Sequence, residues 1–269
     1  MKAILFDLDG VIYNGETLIP GAPEALVWVR QHKIPHLFVT NTTSRGRAGL
    51  AEKLTAFGIP VTKDDILTPP IAALDVLRSG GTTALFVPVK TRSEFAGLQL
   101  LANDAETNAD WVVVGDLGSG WDFATLNRAF RLLKSNPEAK LVALGMTRFW
   151  QAADGLRLDA GAYVAALEYA TGRPALVMGK PAAAFFHAAI HILNSRLRAP
   201  NALDVSDVLM VGDDLIVDVG GAQQAGLAGA LVRTGKFRKG DLAHASVKPD
   251  YILESVADLP SIWNAESKS

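Results

Sequence analysis

The sequence predicts an α/β fold, a parallel sheet divided by an inserted α/β domain. Three observations predict it. Short apolar runs of strand length alternate with longer stretches of helical periodicity, the pattern of βαβ units. Towards both ends of the chain these runs finish in polar residues: Asp7-Leu8-Asp9-Gly10, Thr40-Asn41 and Gly212-Asp213-Asp214. Between about Ala73 and Pro174 no run ends in a pair of aspartates or in Thr-Asn. A core formed by residues 1–73 and 175–269, with a domain inserted at 74–174, explains this better than one continuous sheet.

Taken in order, Ala3–Phe6 is a buried strand that opens abruptly into the first acidic segment. Pro23–Gln31 follows as a helix and Leu37–Val39 as a second strand. Arg45–Phe57 is helical and stops at Gly58 before Pro60. In the insertion, Ala84–Val87, Trp111–Val114 and Leu141–Leu144 are strands, and Phe123–Lys134 and Ala160–Ala170 are helices. The core resumes with a helix over Pro181–Leu197, proline in its first turn. Strand Val208–Val211, a helix from Val219 to Ala225, and strands Ala230–Val232 and Tyr251–Leu253 complete it; the tail Asn264–Ser269 is polar.

Composition narrows the chemistry. The 269 residues are 49% hydrophobic and 20% charged, within the globular range, so disordered and fibrous classes are excluded. With 26 basic and 28 acidic side chains the net charge is −2, which leaves no electrostatic footprint for nucleic acid or an anionic membrane. There is no cysteine, hence no disulfide, thiolate metal site or cysteine nucleophile. Two aspartates in the first ten residues do not fit a secretory signal, and the apolar stretches are too interrupted to span a bilayer, so a cytoplasmic protein is expected.

Ligands of open α/β sheets bind beyond the carboxyl ends of the strands. Asp7 and Asp9 leave the first strand two residues apart, and Gly10 permits the turn that lets them converge; a single aspartate there would be an ordinary turn or cap residue. Thr40 and Asn41 end the second strand before a helix, where a hydroxyl, an amide and free helix N–H groups suit an anionic oxygen. Helix capping by Thr42, Thr43 or Ser44 explains the same residues. Lys180 lies in Met178-Gly179-Lys180-Pro181 and says little alone. Asp213, Asp214 and Asp218 follow Val208–Val211. Gathered at one point, such carboxylates repel by about 3 kcal/mol per pair at ~5 Å and an effective dielectric near 20. A divalent cation and a nearby lysine remove that penalty, and Mg²⁺ takes one or two carboxylates together with phosphate and water. The constellation therefore implies Mg²⁺ and a small phosphorylated ligand.

In this order, DLDGV, a strand ending in Thr-Asn, Gly-Lys-Pro and Gly-Asp-Asp with a further Asp, the chain resembles the haloacid dehalogenase-like (HAD) phosphatases. Within them it resembles the type IIA, NagD-like branch, which implies a Rossmann-like core and a C2-type α/β cap. ALEYATG (Ala166–Gly172), GDDLIVDVGGAQ (Gly212–Gln223) and VRTGKFR (Val232–Arg238) resemble the phospholysine phosphohistidine inorganic pyrophosphate phosphatases. The resemblance implies Asp7 as nucleophile and metal ligand, and Asp9 as general acid and base that lends a backbone carbonyl to the metal. It implies Thr40 and Asn41 on phosphate oxygens, Lys180 neutralising nucleophile and phosphate, Asp213 as metal ligand, and Asp214 and Asp218 acting from behind it. Asp9 argues against a dehalogenase, whose reaction has no leaving oxygen to protonate. A homodimer formed through the cap is also implied. Pyrophosphate or a phospho-amide is the implied substrate class; the alternatives are a broad phosphomonoesterase and a binding module that has lost catalysis.

Val217 replaces a threonine usual in the branch, Ala182 replaces a serine, and Asn194–Asp207 is longer than expected. The five histidines are His32, His36, His187, His191 and His244. His187 and His191 share a helical face without the glutamate of a zinc motif, so a structural role is expected. Gly115–Gly120 and Gly229–Lys236 miss dinucleotide and phosphate-loop spacing and are read as loops. Trp111, Trp121, Phe149 and Trp150 are expected in the core or an interface of the insertion. Substrate choice is expected from loops around Gly145–Asp154 and Leu158–Gly161.

Overall fold

The computed structural model describes residues 1–43, 45–152, 154–197, 202–238, 240–242 and 246–266. Ser44, His244, part of the Asn194–Asp207 segment and the last three residues of the tail lie outside the described residues. The fold is α/β, a parallel-sheet core with a second α/β unit inserted. One compact unit comprises Met1–Thr40, Arg47–Leu67 and Lys180–Ser269; the other comprises Asn41–Gly46 and Thr68–Gly179.

The first unit holds a six-stranded parallel sheet in the order Tyr251–Leu253, Ala228–Val232, Val208–Gly212, Ala3–Phe6, His36–Val39, Ile66–Leu67. Ala3–Phe6 is buried throughout, as a central parallel strand covered on both faces must be. Its register sets Phe6 beside Val211 on one side and Phe38 on the other. The strand order reverses direction here, so the carboxyl ends of three strands surround the switch point.

Helix Ala22–Gln31 buries Ala22, Ala25, Leu26 and Val29, the i, i+3, i+4, i+7 stripe of a helix lying on a sheet. Pro23 fits its first turn, where a missing N–H costs nothing. Helix Arg47–Ala56 buries Leu50, Ala51 and Leu54 and begins two residues later than expected. Helix Ala183–Leu197 buries Phe185, Phe186, Ala189, Ile190 and Leu193; it starts at Ala183 rather than Pro181, after a cis Lys180–Pro181 peptide. Burial of each such large apolar side chain stabilises by about 1.5–3 kcal/mol. Where one helix from Val219 to Ala225 was expected, a π-helical turn Leu215–Gly220 runs into a short helix Gly221–Gln224. Helix Leu259–Glu266 and the two-residue strands Tyr13–Asn14 and Thr17–Leu18, paired as a hairpin, were not anticipated.

The inserted unit has a four-stranded parallel sheet in the order Leu176–Val177, Lys140–Ala143, Trp111–Val114, Thr83–Phe86. Helices Phe123–Ser135 and Ala160–Thr171 pack on it around Phe86, Val112, Val114, Leu132 and Val164. Asp122 caps the first by accepting Thr125 N–H at 2.7 Å. Trp121 stacks between Phe86 and Tyr163, at 5.7 and 4.6 Å between ring centroids, and is buried like Trp111. Phe149 and Trp150 are about half exposed. They stand on an antiparallel hairpin, Phe149–Ala152 with Gly155–Leu158, where loops were expected. Among the described residues no helix is long and apolar enough to cross a membrane.

Candidate active site

The site begins where the central strand runs out. Asp7 follows Phe6, and its backbone N–H still donates to Val211 O at 2.9 Å, which fixes the carboxylate at the strand exit. Lys180 Nζ, 173 residues away in sequence, donates to Asp7 Oδ1 at 2.7 Å. The same ammonium lies 2.6 Å from Asp218 Oδ1, and all three side chains are at most 10% exposed. Asp218 Oδ2 accepts the Asp214 N–H at 3.1 Å, so the π-helical turn holds this carboxylate in place.

Asp213 leaves the neighbouring strand Val208–Gly212. Its Oδ2 accepts Lys236 N–H at 2.7 Å, while its Oδ1 is buried with no hydrogen-bond partner among the described residues. Gly10 (φ +86°) and Gly235 (φ +69°) flank this carboxylate so closely that a Cβ on either would collide with Oδ2. Both also hold the left-handed conformation that glycine adopts without strain. Oxygens of Asp7, Asp213 and Asp218 lie within 4.8 Å of one another.

Burial dominates the electrostatics. It pushes the Asp7 carboxyl up to about 7; Lys180 opposes that shift, while Asp218 and Asp213 add to it. Burial likewise pushes Asp213 up to about 6, against the Lys236 backbone hydrogen bond and with Asp218. Burial alone would lower Lys180, but Asp218 and Asp7 outweigh it and hold the ammonium well above its ordinary range. Three buried carboxylates thus face one buried ammonium. With an all-oxygen donor set and an unpaired Asp213 oxygen, these residues fit a hard divalent cation such as Mg²⁺.

Asp7, Lys180, Asp213 and Asp218 are therefore brought together. Thr40 is buried one strand over from Asp7, its N–H donating to Leu67 O at 3.1 Å. Asn41 is counted with the inserted unit, since the chain passes between units after Thr40. Asp9 is exposed, with Oδ1 accepting the Gly15 N–H at 3.2 Å. Asp214 caps the π-helical turn through Ile216 and Val217 N–H, and its Oδ2 lies 3.5 Å from Lys236 Nζ. Lys236 stands in Gly229–Lys236, which the sequence reads as a loop, and the VRTGKFR run is the sequence signal that covers it. His187 and His191 are both exposed on Ala183–Leu197.

Comparison with known proteins adds a second line of support. The model of the haloacid dehalogenase-like hydrolase family matches residues 4–99, and a HAD-hydrolase-like model matches residues 177–259. The chain is 33% identical to the phospholysine phosphohistidine inorganic pyrophosphate phosphatase of Rattus norvegicus, over 96% of this chain and 92% of the relative. It is 36% identical to the human haloacid dehalogenase-like hydrolase domain-containing protein 2, over 95% of this chain and 93% of the relative. Among solved structures, a p-nitrophenyl phosphatase from Archaeoglobus fulgidus superposes with a TM-score of 0.85 at 29% identity, covering 97% of this chain and 98% of that one. NagD from E. coli K-12 superposes with a TM-score of 0.82 at 26% identity, covering 96% and 98%.

Proposed function

We propose that this chain, which belongs to the haloacid dehalogenase-like hydrolases, is a phosphatase working through an aspartyl-phosphate on Asp7. The observation that carries this reading is the buried Asp7–Lys180–Asp218 array at the exit of the central strand, with Asp213 beside it.

Asp7 attacks phosphorus through a carboxylate oxygen, and as the bond to the leaving group breaks, the leaving atom, oxygen in an ester or pyrophosphate and nitrogen in a phospho-amide, takes the proton carried by Asp9. Water then attacks the aspartyl-phosphate, gives a proton to Asp9, and releases inorganic phosphate and the free Asp7 carboxylate. Lys180 offsets charge on Asp7 and on the incoming phosphate, while Thr40 and Asn41 hold phosphate oxygens. Asp218 orients Lys180. A bound Mg²⁺ would neutralise phosphoryl charge. Asp7, Asp213 and the Asp9 carbonyl would hold it, with Asp214 and Asp218 behind. Burial raises the Asp7 carboxyl, and positive charge from Lys180 and a bound cation would favour the ionised form that attacks.

The substrate is a small phosphorylated molecule, pyrophosphate or a phospho-amide, a reading supported by the name of the rat relative. A broad phosphomonoesterase is the second reading, favoured by the p-nitrophenyl phosphatases among the structural neighbours. Comparing kcat/KM on pyrophosphate, phosphohistidine, pyridoxal phosphate, a nucleoside monophosphate and hexose phosphates separates them. A tenfold lead for a nucleotide or hexose phosphate, about 1.4 kcal/mol in transition-state binding, rejects the first reading. The reading includes domain junctions near 73/74 and 174/175, tested by limited proteolysis, and a cytoplasmic homodimer, tested by light scattering at micromolar concentration.

A further inference from the structure

Lys53 occupies a place that a surface lysine has no structural need to occupy. It projects from helix Arg47–Ala56, yet its side chain is only 12% exposed. Its Nζ lies 4.1 Å from the centroid of the Tyr13 ring, which is itself buried. The ammonium donates to Gly15 O at 2.5 Å and to Glu16 Oε1 at 3.1 Å. The Glu16 carboxylate is 83% exposed, so that ion pair contributes at most about 1 kcal/mol. The bond to Gly15 is different in kind, because Gly15 is the tip of the hairpin Tyr13–Asn14 and Thr17–Leu18, and its N–H donates to Asp9 Oδ1.

A single glycine residue thus reaches the lysine through its carbonyl and the aspartate through its amide. The left-handed backbone at Gly15 (φ +55°) forms part of this link. The root of the hairpin is fastened separately, by Gly10 N–H to Tyr13 O at 2.6 Å and Tyr13 N–H to Leu8 O at 3.2 Å. The tip is what Lys53 adds.

We propose that Lys53 is a positioning residue for Asp9: by anchoring the Gly15 carbonyl it holds the Gly15 amide against the Asp9 carboxylate. This rests on the phosphatase reading, in which Asp9 passes a proton to the leaving oxygen. A misplaced Asp9 harms reactions in proportion to how much the leaving group needs that proton. An alkoxide needs it; a nitrophenolate leaves without it. A merely structural loss would reduce both reactions alike.

The test uses the full chain with Mg²⁺ and two substrates, glycerol 2-phosphate and p-nitrophenyl phosphate. Read as kcat/KM, which ends at formation of the aspartyl-phosphate and so leaves out the water step that Asp9 also serves, Lys53→Met should lose at least tenfold on the alkyl ester and less than twofold on the aryl ester. Lys53→Arg should restore the alkyl rate to within threefold of the native chain, and Glu16→Gln should leave both rates within twofold. Combined with Asp9→Asn, Lys53→Met should cost nothing further, since both act through one proton transfer. Hydrogen exchange at the Gly15 amide should quicken in Lys53→Met while helix amides stay protected. Equal losses on the two esters, no loss on either, or unchanged Gly15 exchange would overturn the inference. Should Lys53→Met fail to fold, Lys53→Gln carries the same comparison. A native chain inert on both esters, or an Asp7→Asn variant that stays active, overturns the phosphatase reading itself.

Discussion

Lys180 and Asp7 form a buried ion pair of 2.7 Å across 173 residues of sequence, and Asp218 completes it from the other side of the ammonium. A pair of this kind carries little net stability, because desolvation offsets most of the attraction, but removing one member leaves an uncompensated charge.

Asp7→Asn keeps the shape and removes the nucleophile. Turnover should fall more than about a thousandfold, roughly 4 kcal/mol of barrier, with the circular dichroism spectrum unchanged. Steady-state phosphate release checks it, and near-native activity in this variant rejects the covalent route.

Lys180→Met should abolish turnover and also destabilise the chain, by roughly 3–5 kcal/mol, because Asp7, Asp213 and Asp218 lose the ammonium among them. Urea unfolding in chelator reads the loss. A variant as stable as the native chain would show that the three carboxylates are neutralised by other means.

Metal-free stability should depend on pH in an unusual direction. Asp7 and Asp213, raised to about 7 and about 6, bind protons in the folded chain that the unfolded chain releases near 3.8. Stability from these groups therefore falls as pH rises from about 4 towards 7. Partly buried His36, lowered from 6.5 by desolvation, works in the opposite sense just below that value. The measurement is accordingly a difference between the native chain and Asp213→Asn. In chelator the native chain should gain more stability than the variant on going from pH 7.5 to 5.5, and Mg²⁺ should shrink the gap. Equal gains in the two would contradict the burial argument.

Gly235→Ala places a methyl group against Asp213 Oδ2 and strains a left-handed backbone. Mg²⁺ affinity by titration calorimetry should weaken at least tenfold, and Ca²⁺ should replace Mg²⁺ poorly in the native chain. Unaltered Mg²⁺ affinity in Gly235→Ala would mean that Asp213 does not need its present position.

The central sheet was legible because a strand buried on both faces is written as an unbroken apolar run, as in Ala3–Phe6 and Val208–Gly212. The acidic endings were legible for the opposite reason: such runs have no packing use for aspartate. What remained hidden depends on distant contacts. Nothing near Lys53 announces that it meets Gly15, and nothing near Lys236 announces that its amide reaches Asp213. The Phe149–Leu158 hairpin is not legible because its arms, FWQA and GLRL, break their apolar residues with glutamine, arginine and glycine and form no apolar run.

The place of Ala3–Phe6 between His36–Val39 and Val208–Gly212 has a consequence for how the molecule comes into being. On the ribosome, one neighbour of this strand is available almost at once. The other follows after about 170 further residues, which at roughly 5–20 residues per second takes on the order of 10–40 s. Through that interval one edge of an entirely apolar strand is unpaired, an invitation to association with other nascent chains. Once made, Asp7 must wait for a further 173 residues before it meets its lysine.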